Sequence, residues 1–415
     1  MIRIFPSKIS GISRAPSSAA LAQRLLFMAA MPAGAPTLVK NIPVCDETDI
    51  AIDCLRALNC KVELSEDGTD CLVTPFPKNI PAQTADMNFG KCSTSSRIAI
   101  ALAGAQGIRA NCTASKILTK RSIFPLTSRM AIRGVRFSSF SLPFTMTGRL
   151  DAGDYVFGGD EGSQFVSAML MALPVLIDPS TVKLKSPLLD SAFVDLTIEY
   201  LEKFGIRIEQ TENGYYVPGR QYYMSPDVIE TENDWGLAAL WVAAGAASGE
   251  QCRVTMTDLP LKSPQHYRNV AKEFPLIAQD FKELDLDASD SPNIATFYAA
   301  ISAVNGATVT ISGVPQLHAK ESDRLKVMVE ICKKLGQNAE LTDTGIRIIG
   351  NDKAMFRPDT VIKCHNDPWI FMSMVLASTK LQKTIILDDE HCADSIYRNF
   401  LKDFRKLGGR YEIIE

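Results

Sequence analysis

The segment APSSAALAQR (15–24) has the residue types of an anion site at the start of a helix. A proline and two serines, which are common before and at helix starts, precede a helix-forming apolar run. The unpartnered backbone N–H groups of such a start, with Arg24 two turns further on, are suited to hold a phosphate. Ala19 and Ala20 stand in the turn that would normally supply a cation and a hydroxyl, so this phosphate site lacks part of its expected chemistry.

The charged run KESDR (320–324) has two open interpretations. Charges three and four residues apart can stabilise a solvated helix start. Alternatively, the lysine and arginine donate to an anionic ligand, since these side chains hold carboxylates and phosphates. The net charge of −3 gives no general reason to expect nucleic acid or an anionic membrane as a partner. An anion site must therefore be a local cluster of basic residues.

Length and composition predict a globular protein of two domains, because 415 residues exceed one ordinary core. No stretch reaches 18 consecutive apolar residues, and the N-terminal residues lack the apolar segment of a signal peptide. The ten cysteines are scattered singly without a C-x-x-C pair, which favours reduced thiols over a metal site. We therefore expect a cytoplasmic protein that binds no membrane and no metal.

Four segments share a pattern that predicts a repeated unit. In each, a Gly or Asn that can end a helix stands four residues before a Glu, and a predicted strand and hairpin follow. Weaker copies occur near AIRG (131–134) and AKEFP (271–275). Six units of about seventy residues would fill the chain, three in each half, with a boundary near residues 224–236. The four clear copies are ALNCKVELSEDG (57–68), KFGIRIEQTENG (203–214), KLGQNAELTDTG (334–345) and KLGGRYEII (406–414).

These features resemble the 5-enolpyruvylshikimate-3-phosphate synthase family of enolpyruvyl transferases, along essentially the whole chain. The segment at 317–336 is similar to the family's L-R-x-K-E-S-D-R and the helix after it. Residues 162–174 are similar to its S-S-Q-x-x-S-A-L-L-M-A, and TKRSIFPL (119–126) to its R-P-I-x-P-L. The segment at 15–24 resembles its P-x-S-K-S-x-x-x-R.

The resemblance implies an α/β fold of two domains, each an inside-out α/β barrel, built from six βαβαββ-type repeats with three per domain. Residues 1–13 and 231–415 would form one domain and 14–230 the other, with ligands bound in a cleft between them. The implied reaction transfers the enolpyruvyl group of phosphoenolpyruvate to the 5-hydroxyl of shikimate 3-phosphate, on the pathway to chorismate. It releases phosphate and uses no cofactor, and we expect a monomer.

The resemblance also assigns site residues, position by position. Lys91 stands where the family has Asn and would add one positive charge. Glu321 would be the proton donor, and Lys320 would lie near the reacting centre. Arg24 would hold the shikimate carboxylate, Ser163 would touch its 3-phosphate, and Gln164 would lie between the two ligands. Arg121 and Arg324 would hold phosphoenolpyruvate.

Several positions depart from the family pattern. Losing one positioned charge or catalytic group typically lowers the rate by about 10²- to 10⁴-fold, so the resemblance implies weak turnover. The departures are Ala19 and Ala20 for Lys and Ser, Asn293 for the Asp that is the candidate base, Pro368 and Trp369 for His and Arg, and Asp394 for Lys.

Three alternatives stay open. The chain could be a diverged homologue that acts on, or only binds, another shikimate-like anionic small molecule, because the losses fall mainly on the implied phosphoenolpyruvate ligands. It could also be a non-catalytic binding or regulatory module. An enolpyruvyl transferase for cell-wall precursors is a weaker hypothesis, since Cys112 lies in about the right region but lacks the Gly-rich context of that relative's loop cysteine.

Overall fold

The structure is a computed structural model that describes residues 1–31, 34–76, 84–249, 251–265, 283–289, 291–351 and 356–414. The chain divides into two compact units. The terminal unit consists of Met1–Pro16, Asn233–Leu261 and Gln265–Glu415, and the central unit of Ser17–Glu232 with Lys262–Pro264. The domain limits expected from the sequence, at residues 14 and 230, stay a prediction, because compactness does not show independent folding.

The described residues form eleven α-helices, six in the central unit and five in the terminal unit. None of these helices has both the length and the apolar character needed to cross a membrane. The helices are α1 (Ala19–Ala29), α2 (Asp46–Ala57), α3 (Ser93–Gln106), α4 (Phe124–Ile132), α5 (Ser163–Ala172), α6 (Ala192–Lys203), α7 (Trp235–Ala247), α8 (Ala295–Asn305), α9 (Arg324–Lys334), α10 (Pro368–Leu376) and α11 (Phe400–Lys406).

The strands of the described residues are short and alternate with the helices. They are β1 (Ile2–Ile4), β2 (Gly11–Arg14), β3 (Thr37–Lys40), β4 (Lys61–Leu64), β5 (Cys71–Thr74), β6 (Ala85–Asn88), β7 (Ala110–Thr113), β8 (Arg136–Phe137), β9 (Phe144–Thr147), β10 (Asp154–Phe157), β11 (Ser180–Leu184), β12 (Glu209–Thr211), β13 (Gly214–Val217), β14 (Val228–Glu230), β15 (Val254–Thr257), β16 (Glu283–Asp287), β17 (Thr308–Ser312), β18 (Asn338–Leu341), β19 (Ile346–Ile349), β20 (Thr360–Ile362), β21 (Ile385–Leu387) and β22 (Tyr411–Ile413).

One sheet topology recurs in both units. The orders β6-β7-β9-β8, β10-β11-β13-β12 and β16-β17-β19-β18 each start with a parallel pair and continue with antiparallel strands. Each of these sheets follows the chain order strand, helix, strand, helix, strand, strand. The sheets β14-β3-β5-β4 and β20-β21-β1-β22 have the same pairing but borrow a strand from a distant part of the chain, and β2 pairs with β15. The predicted βαβαββ repeat is thereby confirmed.

The sequence markers of the repeat coincide with helix ends. Asn59, Gly205, Gly336 and Gly408 each lie two residues after a helix and have φ of 64°, 74°, 88° and 106°. This left-handed conformation reverses the chain into the next strand, and Gly and Asn adopt it most readily. The weaker marker at 131–134 also precedes a hairpin, β8 and β9, whereas the one at 271–275 lies outside the described residues.

Three apolar helices form the inside of each unit. Every residue of α3 except Gln106 is buried, and α1 and α5 are nearly as enclosed. In the terminal unit α7, α8 and α10 have this role. A helix that is apolar on all sides is stable only inside a core, whereas strands such as β6 and β19 alternate buried and exposed residues with one face to solvent. Helices inside and sheets outside form the predicted inside-out arrangement.

The thiols give a test of this packing. Nine of the ten cysteines are buried, and Cys252 is partly exposed. Burial raises the pKa of Cys54 and Cys332 to about 12, and the thiolate is the reactive form. We expect an aromatic disulfide reagent to modify one thiol per native chain rapidly and all ten after unfolding in guanidinium, as measured by the absorbance of the released thiolate. Cys252→Ser should remove the rapid phase, and several rapidly reacting native thiols would contradict the packing.

Candidate active site

In the central unit the N-terminal parts of α1 and α5 both contact the first turn of α3. Gln23 Oε1 accepts a hydrogen bond of 2.8 Å from Ser95 Oγ. Gln164 Nε2 donates to Thr94 Oγ1 at 3.1 Å. Because the start of a helix carries the positive end of its dipole and unpartnered N–H groups, three such starts together favour an anion.

Arg24 is enclosed between α1, α5 and α6, with 1% of its surface exposed. Its Nε donates to Thr197 Oγ1 at 2.8 Å, and its two Nη atoms donate to Ser167 Oγ at 3.4 Å and the Ala20 carbonyl at 2.6 Å. Burial lowers the pKa of Arg24 to about 10, and the Glu47 carboxylate acts in the opposite direction. The guanidinium therefore keeps its positive charge at neutral pH among the helix starts.

The first turn of α1 has the predicted backbone but few side-chain donors. The helix begins at Ala19 with Ser18 as N-cap, and the Ser18 hydroxyl makes no capping hydrogen bond. At α5 the N-cap is Gly162, with φ of 117°, and Ser163 follows as a buried residue. Backbone N–H groups are thus the main polar groups that these starts can offer to an anion.

Arg121 and Lys91 belong to segments beside α3. Arg121 is half-buried and follows the turn at 118–120. Arg97 of α3 donates at 3.5 Å to the carbonyl of Ser122, the residue after Arg121. Lys91 is exposed in the turn that leads into α3. All five residues predicted between positions 24 and 164 therefore lie on or beside the converging helix starts of the central unit.

Arg324 is the centre of a buried charged cluster in the terminal unit, with 2% of its surface exposed. Its Nε donates to Asp367 Oδ2 at 2.7 Å and its Nη1 to Asn293 Oδ1 at 2.6 Å. Its Nη2 donates to Glu321 Oε2. Asp367 is the N-cap of α10 and Asn293 precedes α8, so one guanidinium joins the starts of α8, α9 and α10.

The run at 320–324 has a solvated part and an enclosed part. Asp323 caps α9 and forms a solvated ion pair of 2.9 Å with Lys326, three residues later. Glu321 and Arg324 are also three residues apart, but that pair faces inwards, with Arg324 fully enclosed. Lys320 is half-buried immediately before the pair. The run therefore combines an ordinary helix start with an internal cluster of opposite charges.

Asp367 is a site residue that the sequence interpretation missed. It is fully buried, and it accepts hydrogen bonds from Ser322 Oγ at 2.9 Å and from the Trp369 N–H at 3.0 Å, besides its ion pair with Arg324. An Asp before Pro368 is a recognisable helix-start signal. That signal identifies the cap, but nothing local indicates the arginine that it binds.

Two of the residues that depart from the family pattern lie in the terminal unit. Trp369 is partly buried and packs against the core near the start of α10. Asp394 accepts a hydrogen bond of 2.9 Å from His391 Nδ1, which raises the pKa of that histidine. Neither residue provides a permanent positive charge where the resemblance implies one.

A cavity of about 580 Å³ lies elsewhere, in the central unit, and contains none of the predicted site residues. It is lined by residues 149–153 and 176–179. Within the described residues, no group of three His, Cys, Asp or Glu side chains is arranged to hold a metal ion.

The family model of EPSP synthase (3-phosphoshikimate 1-carboxyvinyltransferase) matches residues 5–404. The chain belongs to the EPSP synthase family. Proteins named 3-phosphoshikimate 1-carboxyvinyltransferase are similar to it over their full length. That of Saccharolobus solfataricus is 26% identical, with 100% of both chains covered. That of Clostridium beijerinckii is 27% identical, with 99% of this chain and 98% of the relative covered.

Two solved structures have the same fold as this chain. EPSP synthase from Acinetobacter baumannii superposes with a TM-score of 0.79 at 19% identity and covers 100% of this chain and 99% of its own. The enolpyruvyl transferase NikO from Streptomyces tendae gives a TM-score of 0.72 at 17% identity, with 99% and 98% covered. The predicted family and fold class are therefore confirmed, while the roles of the individual site residues stay predictions.

Proposed function

We propose that this member of the EPSP synthase family transfers the carboxyvinyl group of phosphoenolpyruvate to shikimate 3-phosphate and releases phosphate. The match over residues 5–404 is the observation that carries the proposal. The buried arginines at converging helix starts in both units support it, because both substrates carry phosphate and carboxylate groups. An assay of phosphate release with both substrates tests the proposal, and a chain that releases none at high concentration would reject it.

The proposed roles of the individual residues are those that the family resemblance implies. In the central unit, Arg24, Ser163 and Gln164 would bind shikimate 3-phosphate, because helix N–H groups and a charged guanidinium complement its phosphate and carboxylate. Lys91, exposed before α3, would add a positive charge. Arg121 and Arg324 would hold phosphoenolpyruvate, and Lys320 would lie near the reacting centre.

Glu321 would be the general acid that protonates the methylene carbon of phosphoenolpyruvate. Its carboxyl group is bound by Nη2 of the Arg324 guanidinium, and Nε of the same guanidinium is bound by Asp367. Arg324, which Asp367 holds in turn, therefore fixes the direction of the acid. The acceptor hydroxyl must also lose a proton, and Asn293, at the position implied for the base, has an amide that does not accept one.

Replacing Asn293 with aspartate is expected to raise kcat by about tenfold or more, because it supplies a carboxylate base of nearly the same shape. The new carboxylate would keep the bond that Asn293 Oδ1 now accepts from Arg324 Nη1. Steady-state phosphate release measures the change. Asn305→Asp, at the end of α8, is the matched control and should leave kcat unchanged, whereas an equal kcat in both variants would reject Asn293 as the base position.

We also propose that the two compact units are the domains predicted at residues 1–13 with 231–415, and at 14–230. Their separate hydrophobic cores support this division. Limited proteolysis followed by mass spectrometry should give first cuts near both crossings between the units. All ten cysteines are free thiols, which supports a cytoplasmic location. We also propose a monomer, so light scattering of the purified chain should give the mass of one chain.

A second candidate function is the binding or conversion of another shikimate-like anion without phosphoenolpyruvate. The observation that favours it is the engagement of Arg324 by Asp367, Glu321 and Asn293, which leaves less of its charge for a ligand. The hydrogen-bond partners of Arg24 within the described residues are neutral, namely two hydroxyl groups and a backbone carbonyl. A thermal-shift titration with shikimate 3-phosphate, shikimate and phosphoenolpyruvate, each alone, distinguishes the two, since only the first proposal requires stabilisation by phosphoenolpyruvate.

A further inference from the structure

One ion pair in the central unit contains none of the proposed site residues. Arg129 of α4 binds Glu161, which lies in the loop between β10 and α5. Its Nη2 donates to both carboxylate oxygens, at 3.0 Å and 2.8 Å. The side chains are only 20% and 28% exposed. A largely enclosed pair of this kind is screened less by solvent than a surface ion pair.

The guanidinium of Arg129 is held on all sides. Its Nη1 donates to the Pro125 carbonyl at 2.6 Å, and its Nε donates to the Val156 carbonyl at 2.5 Å. Its Cζ atom lies over the Phe157 ring, 4.4 Å from the ring centre. Arginine combines these contacts because it has donors in a fixed plane that also stacks on aromatic rings. These contacts therefore hold the guanidinium, and with it the positive charge, in a single position.

Glu161 closes the loop that leads into α5. Its carboxylate accepts from the Gly158 N–H at 2.9 Å, and its own N–H donates to the Gly158 carbonyl at 3.2 Å. The next residue, Gly162, is the N-cap of α5, and Ser163 begins the helix. The carboxylate thus stands two residues before Ser163, at the helix start proposed to hold the 3-phosphate.

An uncompensated carboxylate at this place would repel a phosphate, because like charges in a partly buried site repel strongly. We propose that Arg129 is a positioning residue for phosphate binding: it neutralises Glu161 and fixes the loop at 158–162, so that the start of α5 can accept an anion. This inference rests on the proposed function of Ser163 and Gln164. It adds a residue that touches no substrate and acts through Glu161.

The test compares Arg129→Met, Glu161→Gln and the double variant with the unchanged chain. Arg129→Met should raise KM for shikimate 3-phosphate about tenfold and change kcat by less than about twofold, because it exposes one negative charge to the ligand. The double variant should recover most of the loss, since it contains no uncompensated charge. Arg136→Met, an exposed arginine of the same unit, is the matched control and should leave KM unchanged.

Calorimetric titration with inorganic phosphate separates this inference from the proposed function. If the chain has no turnover, phosphate affinity should still fall about tenfold in Arg129→Met and recover in the double variant. An unchanged KM or phosphate affinity in Arg129→Met, or a double variant no better than the single one, would overturn the inference while leaving the function intact. A chain that binds no phosphate would overturn the inference as well.

Discussion

Replacing Glu321 with glutamine is expected to lower kcat by about 10²- to 10³-fold, because the amide cannot supply the proton that the methylene carbon must receive. KM for shikimate 3-phosphate should change by less than about threefold, since the residues proposed to bind that substrate lie in the central unit. The amide oxygen can still accept from Arg324, so the cluster keeps its shape. Phosphate release at saturating concentrations of both substrates measures the loss.

Asp323→Asn is the matched control for this variant. It changes a carboxylate two residues away to an amide, and asparagine is as good an N-cap as aspartate, so α9 keeps its start. We expect kcat to stay within about twofold of the unchanged chain, because Asp323 touches no proposed ligand group. A Glu321→Gln variant that is as active as this control would remove Glu321 from the chemistry.

Replacing Arg324 with methionine is expected to lower the free energy of unfolding by about 3–5 kcal/mol, because breaking a buried ion pair leaves an uncompensated charge. Asp367 is fully buried and would keep only its hydrogen bonds from Ser322 and the α10 backbone. The starts of α8, α9 and α10 would also lose their common donor. Guanidinium unfolding followed by circular dichroism measures the change.

The double variant Arg324→Met with Asp367→Asn separates charge from packing. It removes the uncompensated charge while asparagine can still cap α10, so it should recover part of the lost stability. A single variant within about 1 kcal/mol of the unchanged chain would show that Arg324 is solvated in solution, contrary to its enclosure between three helix starts.

Local signals in the sequence were sufficient to predict the repeated unit. A Gly or Asn in the left-handed conformation after a helix depends on only a few neighbouring residues, so Gly205 and Gly336 could be recognised from spacing alone. The all-round apolar composition of helices such as α7 is also a local signal, typical of a buried helix. Each of these signals depends on residues that are close in the chain, and the signals recur along the sequence.

Pairings between distant strands could not be derived from spacing. Ile2 of β1 lies opposite both Leu387 and Ile413, and β2 pairs with β15, about 240 residues later. The family resemblance implied that the first strand joins the C-terminal half, and the register of β1 confirms this. Periodicity alone contains no information about which strands meet across such separations.

The surroundings of the site residues were also beyond local inference. Arg324 has one partner three residues away, Glu321, which the spacing allowed, but Asn293 and Asp367 are 31 and 43 residues away. The hydroxyl partners of Arg24 are 143 and 173 residues away. The sequence therefore indicated which residue types could hold anions, whereas the enclosure of both arginines follows from the packing of helices that are distant in the chain.

Phosphorus NMR of the chain with equimolar shikimate 3-phosphate and phosphoenolpyruvate is the most direct test of the proposed activity. We predict that inorganic phosphate and a new phosphomonoester signal grow together in equal amounts and that neither grows without both substrates. Phosphate that forms from phosphoenolpyruvate alone, or a spectrum that stays unchanged at high protein concentration, would contradict carboxyvinyl transfer by this protein.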